Sequence, residues 1–363
     1  MSPDLFISVG EPSGDLHGKE LMLALQKLKP EIRMEGVFGP RMRELQSQSF
    51  GKMEDLSVMG FFDVLLHLPR IMAQFFKIRN QILKLNPKAC VFIDYAEFHI
   101  FLEKSLRKKG YKGKLIHYIC PSVWAWRKSR IKPMAENLDL LLALFPFEPA
   151  CFSHTDLTVK YVGNPITKLL QPRVSKERNL IGIFPGSRQK EIQRNLPIQI
   201  QAAKELEQFY PDLHFEISCA NNNMKALIES INTPLFPIQE NSYDLMERAS
   251  FAIATSGTVT LELALRMVPT VVTFAIKRWD QFLAQKILKI NLPHYCIVNI
   301  LAQKRVFPEL FGTNLTLANL VAESKKLLSP NTILQECEKI KKLLTENDPA
   351  EKAASAILEI LDS

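Results

Sequence analysis

Short apolar runs alternate along this chain with longer stretches in which apolar residues recur at helical spacing. The runs are "LFISVG", "ACVFIDY", "KLIHYIC", "LDLLLALF" and "TVKYVG", followed by "LIGIFPG", "LHFEISCA", "SFAIATSG" and "TVVTFAI". A strand covered on both faces reads as a continuous apolar run, and parallel neighbours need a helix-length connection between them. The alternation therefore predicts an α/β chain, doubly wound, with helices on both faces of parallel sheets. The stretch "QPRVSKERN", residues 171–179, is polar, charged and without apolar periodicity. It reads as a linker between two Rossmann-like halves, 1–170 and 180–340. After "TVVTFAI" the strand signal fades. From Leu315 the pattern is helical, and the tail 341–363, ending "AEKAASAILEILDS", is expected to pack back on the first half.

The chain has 363 residues, too many for one ordinary core, so composition agrees with two domains. Apolar residues make up 47% and charged residues 23%, which excludes a disordered, low-complexity chain. The net charge of +8 calls for an anionic partner: nucleic acid, a nucleotide, a phospholipid surface or a phosphorylated substrate. Aromatic nucleic-acid modules and basic tails are missing, so no nucleic-acid partner is expected. The six cysteines, at 90, 120, 151, 219, 296 and 337, have no metal-type spacing, and a reduced, cytoplasmic protein without a structural metal is the simplest account. No segment has the roughly 18 uninterrupted apolar residues of a membrane span, so membrane contact is expected to be peripheral.

Ligands of parallel sheets bind beyond the carboxyl ends of the strands. The first such loop is "VGEPSGDLHG", where Gly10 and Gly14 permit a sharp turn and Ser13 or Asp15 can cap the next helix. It lacks the G-x-G-x-x-G spacing of a dinucleotide site. Glu11 and Asp15 put two carboxylates at a strand end, where they serve catalysis as readily as capping. In "VFIDYAEFHI", Asp94 closes an apolar run and Glu97 opens a helix. Either carboxylate could take a proton, and Glu97 could equally favour the helix dipole. In the second half, "IFPGSRQKEI" delivers Gly186, Ser187 and Arg188 at a strand end. "ATSGTVTLELAL" delivers Ser256, Gly257 and Thr258 ahead of a helix with Glu262 one turn inside it. Loop amides, hydroxyls and a guanidinium suit a diphosphate, and Glu262 suits ribose hydroxyls. Two apolar and basic stretches complete the candidates. "SVWAWRKSR" sets Trp124 and Trp126 beside Arg127, and residues 58–84 set Phe61 and Phe62 among Leu, Ile, Lys and Arg. Both suit a sugar, a lipid or a headgroup surface, and both also suit an ordinary core with a solvated face.

Taken in order, "GEPSGD", "GVFGPRM", "LSVMGFFDVL", "FIDYAEF", "HYICPSVWAWR", "LALFPFE", "YVGNPI", "FPGSRQKEI", "TSGTVTLE" and "NILA" run over nearly the whole chain. In these segments the chain resembles the lipid-A-disaccharide synthases. The resemblance implies the GT-B architecture, two Rossmann-like domains facing across a cleft. It implies an inverting hexosyltransferase that joins UDP-2,3-diacylglucosamine to 2,3-diacylglucosamine 1-phosphate, forms the β-1,6-linked disaccharide 1-phosphate and releases UDP, without metal or cofactor. It further implies Glu97 as the leading general base, with Asp94, Asp15, Glu11 and Ser13 near the chemistry. Arg188, Gly186, Ser187, Ser256, Gly257, Thr258, Glu262 and Asn299 of "NILA" are implied on the nucleotide. Trp124, Trp126, Arg127, Phe61 and Phe62 are implied toward acceptor and lipid. An anionic inner-membrane surface is the expected docking partner on the cytoplasmic side, and a homodimer is an expected alternative to the monomer. The family pattern "IDAPDF" has a second aspartate where this chain has Glu97, and Asn164 stands where the family usually has His or another polar residue. The rival readings are a UDP-N-acetylglucosamine 2-epimerase or a peptidoglycan N-acetylglucosaminyltransferase on the same two-domain plan, or a non-catalytic surface-binding protein.

Overall fold

The computed structural model describes residues 2–46, 49–56, 61–125, 127–169, 176–233, 235–276, 293–328, 332–345 and 348–362, the side chains of 61–67, 168, 169, 222 and 345 excepted. The chain divides into two compact units, Met1–Pro165 with Thr345–Ser363, and Ile166–Leu344.

The first unit holds β1 (Leu5–Val9), β2 (Met34–Phe38), β3 (Gly51–Lys52), β4 (Ala89–Ile93), β5 (Lys114–Tyr118), β6 (Leu140–Ala143) and β7 (Thr158–Tyr161). They pair in the order β3-β2-β1-β4-β5-β6-β7, every pair parallel. Because successive residues of a strand face opposite sides, Leu5, Ile7 and Val9 enter one core and Phe6 the other. The first core is closed by α1 (Pro12–Leu28) and by the C-terminal helix Pro349–Asp362, through Leu21, Leu25, Ala353 and Ile357. After the short α2 (Pro40–Arg43), the opposite face is covered by α3 (Phe61–Leu85) and α4 (Ala96–Lys108), through Ile78, Ile82, Leu102 and Leu106. The helix α5 (Ile131–Asn137) adds Ile131 and Met134 to that layer.

The second unit holds β8 (Glu177–Phe184), β9 (His214–Ser218), β10 (Ile238–Gln239), β11 (Ala249–Thr255), β12 (Thr270–Phe274) and β13 (Glu309–Phe311), in the order β10-β9-β8-β11-β12-β13, again all parallel. Its helices include α6 (Gln189–Phe209), α7 (Lys225–Asn232), α8 (Ser242–Arg248) and α9 (Thr258–Leu265), then Ile297–Ala302, Leu317–Leu327 and Ile333–Thr345.

Each of the nine apolar runs contains a strand. Four strands carry no such run. β3 and β10 are two residues long, β2 is interrupted by Glu35 and Gly36, and β13 follows "TVVTFAI", where the strand signal fades. Part of the expected linker is also strand: residues 171–175 lie outside the described residues, and Glu177 to Asn179 open β8 as a solvent-exposed extension with Glu177 in register with Ala249. Among the described residues no helix is long and apolar enough to cross a membrane. The sheet orders create one reversal of winding in each unit, between β1 and β4 and between β8 and β11. Crevices at such reversals are where open parallel sheets hold ligands.

Candidate active site

At the β1/β4 reversal, α1 begins at Pro12, with Glu11 in extended conformation ahead of it and no side-chain cap. Neither Ser13 nor Asp15 caps this helix. Pro at the first position needs no N–H partner, which starts the helix early and leaves Ser13 in its first turn. Ser13 Oγ there donates to Asp94 Oδ2 at 3.2 Å. Asp15 is 2% exposed, and its two oxygens accept the Arg41 and Met42 amides at 2.9 and 3.1 Å. It thereby secures the start of α2, and Gly39 is glycine because an added Cβ would lie 2.1 Å from Asp15 Cγ.

The β4–α4 turn carries left-handed backbone at two successive non-glycine residues, Asp94 (φ 54°) and Tyr95 (φ 50°). Such conformations persist where surrounding contacts hold them. Here Asp94 N donates to Tyr118 O at 3.0 Å, and His99 Nδ1 bonds Asp94 O at 2.7 Å while its Nε2 meets Ser8 Oγ at 3.1 Å. Burial holds the His99 ring neutral, its pKa pushed down to about 3, so Nδ1–H is the donor and Nε2 the acceptor. His17, on the same helix face as Ser13, is lowered by burial against the opposing charges of Asp94 and Glu20. Glu11 is exposed and close enough to Tyr95 to raise its hydroxyl pKa, behind the larger effect of burial.

Glu97, in the first turn of α4, is exposed and pairs with both Arg127 and Arg130 from the loop after β5. That loop also presents a half-buried Trp124, edge-on to Phe147 at 5.5 Å, and Phe147 stacks on Phe145 at 5.6 Å. Beneath the stack, Glu148 is 2% exposed and accepts the Leu144 and Phe145 amides at 2.9 Å each. Burial nevertheless pushes its pKa up to about 7, against those two amides. Trp126 lies outside the described residues, as do the side chains of Phe61 and Phe62, which open α3.

At the β8/β11 reversal the second unit encloses a cavity of about 600 Å³. Its walls include Gly186, Ser187 and Arg188 from the end of β8, Ser256, Gly257 and Thr258 from the end of β11, and Tyr243 and Glu262. Gly186 has φ 105°, and an added Cβ would meet Glu191 Oε2 at 2.8 Å, so only glycine fits this bend. Arg188 caps α6 in extended conformation, its side chain 82% exposed and joined to Glu191 at 2.9 Å. Gly257 opens α9, and a Cβ there would meet nothing within 4 Å, so open space adjoins the start of this helix. Burial raises the Glu262 pKa, while Arg266 and the Tyr243 hydroxyl lower it. This cavity thus gathers every expected nucleotide contact but one. Asn299 is fully buried elsewhere, donating to Phe307 O and Glu309 Oε1 and accepting the Val306 and Phe307 amides, each at 2.8 Å. Its hydrogen-bonding capacity is spent in shaping the 299–309 turn. Tyr243, His99 and Glu148 went unnoticed in the sequence. Tyr243 bears no motif, while His99 had only its place in "VFIDYAEFHI" and Glu148 its place in "LALFPFE" as signals.

The family model for lipid-A-disaccharide synthetase matches residues 5–360. The chain belongs to this family. A lipid-A-disaccharide synthase from Geobacter sulfurreducens is 30% identical over 376 residues, covering 98% of this chain and 97% of that protein. One from Chlamydia pneumoniae is 38% identical over 325 residues, covering 85% of this chain. The match takes in 53% of the Chlamydia protein, so the chain spans about half the length of that curated relative. Among solved structures, the glycosyltransferase of kitacinnamycin shares the fold, with a TM-score of 0.64 and 13% identity over 99% of this chain and 100% of that one. The lipid-A-disaccharide synthetase family member described here therefore has the GT-B fold, built as two parallel-sheet units with a helical C-terminus.

Proposed function

We propose that this chain is an inverting hexosyltransferase that joins UDP-2,3-diacylglucosamine to 2,3-diacylglucosamine 1-phosphate, giving the β-1,6-linked lipid A disaccharide 1-phosphate and UDP. The observation that carries the reading is the cavity at the β8/β11 reversal, which is lined by a guanidinium, two loop hydroxyls, the start of α9 and, one turn along that helix, the Glu262 carboxylate. Diphosphate oxygens take the donors among these, and ribose hydroxyls take the carboxylate. As the glycosidic bond to UDP lengthens, charge grows on the diphosphate, and Arg188 with the α9 amides stabilises it. The acceptor 6-hydroxyl attacks the anomeric carbon from the opposite face and gives its proton to a carboxylate of the first unit. Glu97 is that carboxylate: it is exposed, and Arg127 and Arg130 orient it. The same two cations suit the 1-phosphate of the acceptor.

Both substrates carry acyl chains, so the enzyme works at a cytoplasmic, anionic membrane surface. α3 supports this reading, since Leu68, Met72 and Phe76, four residues apart on one face, are 46%, 41% and 44% exposed. Arg70, Lys77 and Arg79 lie on the same helix, and the Arg79 guanidinium stands 4.9 Å from the Phe76 ring. Apolar side chains at headgroup depth with cations beside them are the features of an interfacial helix. The test is incubation with both diacylated sugars and mass spectrometry of the products. A disaccharide 1-phosphate with UDP is expected, and epimerised UDP-sugar without transfer would replace this reading.

A further inference from the structure

We propose that Tyr243 is a positioning residue for the nucleotide, its hydroxyl holding the Glu262 carboxylate in the orientation that receives the ribose hydroxyls. The inference rests on the reading of Glu262 as the ribose contact. Tyr243 is the second residue of α8 and Glu262 the fifth of α9, and both line the cavity. Tyr243 Oη donates to Glu262 Oε1 at 3.3 Å. The ring that carries this hydroxyl is 40% exposed, yet it is not loosely held. The Arg266 guanidinium lies 4.9 Å from its centroid, and Arg266 is itself joined to Glu247 at 2.9 Å with the two side chains 1% and 9% exposed. A buried ion pair thus backs the ring, and the ring in turn orients the carboxylate.

An ionised carboxylate accepts at about four lone-pair sites. One bond from Tyr243 leaves the others for the two ribose hydroxyls, which can only donate to it. A glutamate free to rotate would lose side-chain entropy when the nucleotide binds, and the tyrosine incurs that loss beforehand. The effect is specific to the ribose diol, which separates it from packing against the base or from support of the fold.

The test is calorimetric titration of UDP and of 2′,3′-dideoxy-UDP into the full chain and into Tyr243→Phe, Glu262→Gln and the double variant, with thermal unfolding run beside it. Tyr243→Phe deletes one hydroxyl at a partly exposed ring, so it keeps the fold. The parent is expected to prefer UDP over the dideoxy analogue. Tyr243→Phe should lose about five- to tenfold in UDP affinity, the scale of one hydrogen bond to a charged group acting indirectly, and nothing for the dideoxy analogue. The double variant should bind UDP no more weakly than Glu262→Gln alone. If Glu262→Gln weakens UDP while Tyr243→Phe binds as the parent does, the tyrosine has no positioning role and the ribose reading stands. If Tyr243→Phe weakens both nucleotides equally, its contribution lies outside the diol and the inference falls. If Glu262→Gln keeps the parental ratio between the two nucleotides, Glu262 is not the ribose contact and both readings fall.

Discussion

Ser13 Oγ donates to Asp94 Oδ2 at 3.2 Å, a bond between residues 81 positions apart that ties the loop after β1 to the loop after β4. It crosses the winding reversal of the first sheet, while Glu97, three residues on, is exposed and held by Arg127 and Arg130.

Substitution of each in turn orders the two carboxylates. Glu97→Gln should lower the turnover number about a hundredfold with UDP binding unchanged, the usual scale for losing a general base. Ser13→Ala should cost less, because it removes support from the turn rather than a proton acceptor. Steady-state kinetics with UDP titration decide it. A nearly normal Glu97→Gln beside an inactive Asp94→Asn would move the base to Asp94.

Arg188→Ala should reduce kcat/KM by about ten- to a hundredfold, since a charge-assisted bond to the departing diphosphate contributes roughly 1.5–3 kcal/mol. The Arg188 side chain is 82% exposed and, among the described residues, is held by its bond to Glu191, so unfolding temperature should hardly move. A change below threefold with the fold intact would take Arg188 off the diphosphate.

On α3, replacing Met72 and Phe76 together by serine should weaken co-sedimentation with anionic vesicles, and added salt should weaken what remains. These side chains are 41% and 44% exposed, so thermal unfolding should shift little. If the double variant sediments as the parent does, the stripe does not dock, and the loop bearing Trp124 and Arg127 is the next surface to test.

Glu148 yields a pH signature. Its folded pKa is raised by burial from the ordinary carboxyl value of 4.5 to about 7, so between those values the folded chain holds a proton that the unfolded chain releases. Stability from this group is therefore present at low pH and lost as pH rises toward 7. The buried His99, lowered to about 3, works in the opposite sense, losing stability as pH falls below 6.5. Only a comparison of variant with parent isolates the glutamate. Glu148→Gln, neutral at every pH, should gain on the parent between pH 4.5 and 7 by on the order of 3 kcal/mol, read from denaturant unfolding at each pH. A difference that does not change with pH would mean that Glu148 titrates alike in both states.

How much of this was legible beforehand depended on the range of the interaction. Runs such as "ACVFIDY" and "SFAIATSG" announce β4 and β11 because a strand buried on both faces is apolar at every position, and burial is written locally. The glycine, serine and arginine of "FPGSRQ" announce the loop that lines the cavity after β8 because its bend and its polar groups lie within a few residues. β2 and β13 were not announced, since a short strand with a glycine or a charge has no period to detect.

By itself, then, the sequence determined the α/β class, the family and the loops at the strand ends, all properties carried by contiguous segments. Only the tertiary structure decided which of those loops meet. Strand order sets the reversals at β1/β4 and β8/β11, and a parallel crossover of the same length can lead to either side of its sheet, so local pattern does not encode that choice. The tertiary structure therefore sends Asp15 to the amides of Arg41 and Met42, encloses Asn299 in its own turn, and brings Tyr243 to Glu262. The partners of a polar side chain are fixed by packing between distant segments, and no residue type names them in advance.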